Sequence, residues 1–160
     1  MGPERQDTSF SPEELTEDVR KQFGLREGVQ RFVFVDTWQG VENLSDAVRV
    51  YLDPDTLHLL LANLSDPGSI QLQADLAVYA TETVASSIAR DLMTGDDVAA
   101  PSALDAYPAA KRFFENLSRR LGVDLADVIQ IATNDPALLR AHLEAAMDLK
   151  TVTTNALKEK

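Results

Sequence analysis

Asp53, Asp55 and His58 cluster around Pro54 in the stretch RVYLDPDTLHLLLANL, Arg49 to Leu64. Two carboxylates and an imidazole at such spacing have the chemistry to ligate a divalent metal or to share a proton. The same residues also have a plainer use. Asp-Pro-Asp suits a type I turn, with Pro54 where φ near −65° is wanted and the aspartates bonding to backbone N–H groups. On that reading Asp53 and Asp55 flank a hairpin tip, His58 lies on the strand that follows, and all three face solvent. The turn is preferred, and no metal is assigned.

The other candidate residues are weaker. Asp36 ends an apolar run, where acids often do chemistry in α/β enzymes, but no Gly-rich loop and no Lys or His at a useful spacing follow it. Capping the next turn is the simpler role. Trp38, the single tryptophan, stands near Gly40 in a loop, either as an interface anchor or as a core plug. His142 borders an apolar helical stripe of Leu138, Ala145 and Leu149, without the acid spacing of a metal helix. LSRRLGVDLADVIQIA has the outline of a helix-turn-helix, but its second helix carries two acids and no Lys or Arg. Base and phosphate readout need the opposite. There is no GxGxxG, P-loop or GxSxG motif. The hydroxyls of Thr81, Thr83, Ser86 and Ser87 lie on a helix near few bases, so nucleophilic catalysis has no support in the sequence. No catalytic residue and no cofactor is assigned. Trp38, Asp36, Asp53, Asp55 and His58 remain as candidate binding residues.

These residues sit in a 160-residue chain, 44% hydrophobic and 26% charged, sufficient for one core without staples. It contains no cysteine, so disulfides and thiolate chemistry are excluded. The polar start, MGPERQDTSFSPEEL, lacks the apolar segment of a secretory signal, and no apolar run is long enough to span a bilayer. A soluble, cytoplasmic protein is expected. The net charge is −11, and all of it falls in residues 1–104, since 105–160 hold eight bases and eight acids. An acidic surface repels nucleic acid and anionic lipid. It fits a basic protein partner, or salt adaptation.

The positioning elements follow from period and punctuation. Residues 1–10 read as a disordered arm. Ser11-Pro12-Glu13-Glu14 has the form of a capping box, and Leu15, Val19 and Phe23 then recur every four residues up to Gly24, so a helix is expected there. QRFVFVDT, Gln30 to Thr37, reads as a strand with two apolar faces, hence a central one. Ala47–Leu52 and Thr56–Leu64 read as a hairpin across Pro54. After a turn at Ser65-Asp66-Pro67-Gly68, residues 69–79 alternate Ile70, Leu72, Ala74, Leu76 and Val78 against polar neighbours, which predicts a fourth strand. Val84, Ile88 and Leu92 before Gly95 predict a helix over 81–94. Residues 96–104 read as a linker. Helices are expected at 105–121, 125–132 and 136–149, with Gly122, Asp124 and Asp135-Pro136 as punctuation. The tail 151–160 should fray.

The expected fold is therefore α+β: an N-terminal helix, a four-stranded mostly antiparallel sheet over about 30–80, and C-terminal helices. Residues 11–95 would form an acidic domain and 105–150 a helical region packed on it. An all-α fold is the alternative, with short helices at 45–52 and 55–64. Two function classes fit. One is a non-enzymatic interaction or assembly protein that binds a protein partner or itself as a homodimer. The other is a small-molecule-binding domain or enzyme without a recognisable motif, built on Asp36, Asp53 or His58.

Overall fold

The computed structural model describes residues 11–148 and 155–157. In chain order its elements are β1 (Pro12–Glu14), α1 (Glu17–Phe23), β2 (Arg31–Val35), β3 (Val48–Leu52), α2 (Pro54–Ala62), α3 (Pro67–Asp91), α4 (Pro108–Leu121), α5 (Leu125–Asn134) and α6 (Pro136–Ala146). Short 3-10 segments stand at Leu44–Ala47 and Pro101–Ala106. The fold is α+β. The expected arm at 1–10 and most of the tail at 151–160 lie outside the described residues, as does the expected end of the last helix at Leu149.

The sheet has three strands, not four, in the order β1-β3-β2. β3 is central because it alternates well: Val48, Val50 and Leu52 are buried on one face, and Arg49 and Tyr51 lie on the other. β2 pairs with it antiparallel, setting Val33 opposite Val50 and Phe32 opposite Tyr51. β2 was expected to be central because both its faces are apolar, yet it is an edge strand. Its second face is covered by α1 instead of by another strand. The Phe23 ring sits 4.7 Å from Phe34, 5.2 Å from Phe32 and 6.2 Å from Tyr51, all tilted, as aromatic quadrupoles favour.

The N-terminal helix begins later than its capping box implies. Pro12–Glu14 is a strand, parallel to β3, with Pro12 opposite Val50 and Glu14 opposite Leu52. Leu15 is buried, and its N–H donates to the Leu52 carbonyl at 2.8 Å. A capping box satisfies two local N–H groups, whereas pairing engages β3 along Val50–Leu52 and buries Leu15 as well. Thr16 then serves as N-cap, accepting from Val19 N–H at 3.2 Å. The helix ends as expected at Gly24, whose φ of +65° is costly for any residue with a Cβ.

The largest correction concerns residues 54–79. The segment 56–64, expected as a strand, belongs to α2, and 69–79, expected as another, is the first half of α3. The dipeptide Asp-Pro explains both. Asp53-Pro54 and Asp66-Pro67 open these helices as N-cap and N1, just as Asp135-Pro136 opens α6. The alternation over 70–78 misled because residues 67–75 of α3 are nowhere fully buried. An apolar pattern reports a period only where one face is removed from water. From Leu76 onward the helix is buried at Ala80, Val84 and Ile88 in steps of four, with Thr81, Ala85 and Ala89 beside them.

That buried length of α3 touches β2 on one side and α5 and α6 on the other. The core runs continuously from Val33, Val50 and Leu52 through Val84 and Ile88 to Phe113, Phe114, Leu117, Ile129, Leu139 and Leu143. α4 carries its expected apolar face and ends at Gly122 in the left-handed conformation. The expected linker is partly ordered: Thr94 and Asp97 form an isolated bridge, and Pro101 starts a 3-10 segment that buries Leu104.

The cap geometry separates two aspartates that look alike in sequence. The Asp53 carboxylate accepts from Thr56 N–H at 3.3 Å and lies 3.8 Å from Arg20, whereas Asp66 makes no side-chain cap bond. Asp53→Ala should therefore lower stability in urea denaturation by about 1 kcal/mol, and Asp66→Ala by only a few tenths.

Candidate functional site

The residues singled out in sequence do not converge. Asp53 is half-buried and engaged as the α2 cap. Asp55 is exposed in the first turn of α2, where the helix dipole favours an acid. His58 points outward, one turn into α2, and its Nε2 lies 2.8 Å from Oε1 of Glu14 on β1. The pair ties α2 to the sheet edge across solvent. Among the described residues no group of three or more His, Asp or Glu side chains is placed to hold a metal ion. Asp36 is exposed and accepts from Thr37 N–H at 2.7 Å, while its own N–H extends the sheet ladder to the Ala47 carbonyl. His142 is exposed on α6.

Trp38 is 2% exposed and belongs to the core. Its indole N–H donates to Asp91 Oδ2 at 2.8 Å, and its ring meets Tyr107 edge-on at 4.9 Å. The chain leaves β2 at Asp36, dives inward at Trp38, and is thereby fixed to the ends of α3 and of the 3-10 segment that leads into α4.

Two surface concavities take the place of the expected cluster. The first is a groove of about 660 Å³ at the α2–α3 corner, lined by Leu59, Leu60, Asn63, Pro67 and Leu72 among others, and by Ala156. Around this corner stand the most exposed large apolar side chains of the body: Leu59 at 67%, Leu61 at 58%, Leu64 at 52% and Ile70 at 43%. Between Arg49 and Arg90 the chain has five acids and no Lys or Arg. The lining of the corner mixes apolar Leu59, Leu60, Pro67 and Leu72 with polar Thr56, Asn63 and Ser69, and among the described residues its one charged member is the acid Asp66. Its leucines were hidden from sequence reading by the hairpin assignment, which gave half of them to a buried sheet face. The missing cations were the available signal.

The second concavity is a cleft of about 490 Å³ between α3, the end of β2 and the start of α6. Along it run Tyr79, Glu82, Thr83, Ser86, Ser87, Arg90 and Asp91, spaced three and four apart as one stripe of α3. Arg140 closes it from α6, with Nε and Nη2 each 2.7 Å from Glu82 Oε2. Outside both concavities, the Asp105 carboxylate 3.0 Å away raises the Lys111 ammonium above the ordinary lysine range. Stabilisation by a raised base is present below its unfolded pKa and lost only as pH climbs through the folded one, so it is constant near neutrality.

Compared with known protein families, curated proteins and solved structures, the chain matches none. Among the described residues no helix is long and apolar enough to cross a membrane.

These placements separate structural from peripheral residues. Trp38→Phe puts a smaller ring into a buried site and loses the indole N–H bond to Asp91, and should cost about 1–3 kcal/mol in urea denaturation, mostly from the volume left unfilled. His58→Ala removes an exposed pair and should change stability by less than about 0.5 kcal/mol.

Proposed function

We infer that this protein is an interaction module without chemistry of its own. In this reading the α2–α3 corner docks a cationic, amphipathic helical segment of a partner protein. The observation that carries the inference is the gathering of Leu59, Leu61, Leu64 and Ile70, all exposed, inside a stretch free of Lys and Arg. Exposed large apolar side chains beside a groove with a polar rim mark protein-interaction surfaces. A partner helix would offer its apolar face to the groove and its Lys and Arg to Asp55 and Asp66.

A second copy of the chain fits this corner less well. Two-fold pairing would set the same acids against each other with no cation to compensate. The chain's own tail offers a small-scale precedent. Asn155–Leu157 form a helical turn, Ala156 lines the groove, and the residues that follow in sequence are Lys158, Glu159 and Lys160. A helical turn thus already lies against the groove through Ala156.

The test is fluorescence anisotropy with a labelled Leu/Lys amphipathic helical peptide, beside a Leu/Glu peptide of the same pattern. The Leu/Lys peptide should bind, weaken as salt is raised, and lose at least about tenfold in affinity to Leu59→Gln/Leu61→Gln. Because both side chains are exposed, the variant should keep wild-type stability within about 0.5 kcal/mol. Equal binding of both peptides, or no effect of the double variant, would sink the reading. A wild-type dimer in sedimentation that the double variant dissolves would replace the partner with a second copy.

A further inference from the structure

The cleft beside α3 has a separate chemistry and does not depend on the docking reading. Three of its polar groups are already engaged. Glu82 is held by Arg140, Asp91 accepts from Trp38, and the Thr83 hydroxyl donates back to the Tyr79 carbonyl at 2.8 Å, the usual retreat of a hydroxyl inside a helix. Ser86 does not make that retreat. It is only 8% exposed, and its Oγ is buried without any hydrogen-bond partner. A buried hydroxyl left unpaired is a cost that folded proteins rarely leave in place. One turn further on, the exposed Arg90 guanidinium has no ion-pair or hydrogen-bond partner among the described residues, and Ser87 lies between them on the same wall.

We propose that this cleft binds a small carboxylic acid. Its carboxylate is held by Arg90 and accepts from the Ser86 and Ser87 hydroxyls, and its apolar body lies along Val35, Tyr79 and Pro136. The charges favour a monoanion. Arg140 is neutralised by Glu82, so Arg90 is the one cation in the cleft with charge to offer, and the Asp91 carboxylate beside it disfavours a dianion such as phosphate. The volume of about 490 Å³ suits a compact molecule. The proposal is of binding alone, with no bond made or broken.

The protein carries its own reporter. Trp38 is the only tryptophan, and its indole N–H is bonded to Asp91 on the cleft wall. Benzoate is the probe, added to ¹⁵N-labelled full-length protein while the single indole cross-peak is followed, with inorganic phosphate at matched ionic strength as the comparison. Benzoate should shift the peak saturably and phosphate should not. Arg90→Gln and, separately, Ser86→Ala should each weaken benzoate by at least about tenfold, with unchanged far-UV circular dichroism. No saturable shift with benzoate overturns the proposal. So does a shift that both variants leave unchanged, or one that phosphate reproduces, since the cleft would then attract any anion.

Discussion

In proteins most helical stability comes from the packing of an apolar face, and α3, twenty-five residues long, is packed against both the sheet and the C-terminal helices. Its small residues permit this. Ala80, Ala85 and Ala89 are buried beside Val84 and Ile88, so β2 as well as α5 and α6 can approach the helix closely. The bond between the Trp38 indole and Asp91 fixes the far end of α3 to the loop that leaves the sheet. Through that helix the three strands and the C-terminal bundle share a single core.

The same arrangement divides the surface of α3 by position along its length. Its first turns project beyond the core, and there the leucines of the α2–α3 corner are left uncovered. Its last turns are buried on the core side and polar on the other, where the hydroxyl and arginine stripe forms the wall of a cleft. One helix thus contributes to a groove flanked by exposed leucines at one end and to a polar cleft at the other. Neither concavity is lined by Asp53, Asp55 or His58; Asp53 starts α2, and His58 ties it to the sheet edge.

Much of the architecture was legible where local chemistry and burial agree. β2 and β3, the helix end at Gly24, the apolar face of α4 closed by Gly122, and the Asp135-Pro136 start of α6 all follow from short-range rules. The misreading of 56–79 came from giving one dipeptide two meanings. Asp-Pro reads as a helix start at 135 and as a turn at 53 and 66, because N-cap and turn place the same demands on those two residues. Leucine-rich α2 and the half-exposed start of α3 then offered no clean period to arbitrate. The site was less legible still. Asp36, Asp53, Asp55 and His58 attract notice because their side chains can do chemistry, but each is engaged locally or faces water.

The sequence by itself determined the content of the chain: no thiol chemistry, an acidic first two-thirds, an α+β composition, and the punctuation of most helices. Those properties depend on residue identity and on neighbours within a few positions. Only the tertiary structure decided that Pro12–Glu14 would leave its capping box to pair with β3, that Trp38 would be buried against Asp91, and that Ser86 and Arg90 would line a cleft with Arg140. Each of these joins residues far apart in the chain, and their free energy comes from pairing and burial that no local pattern encodes.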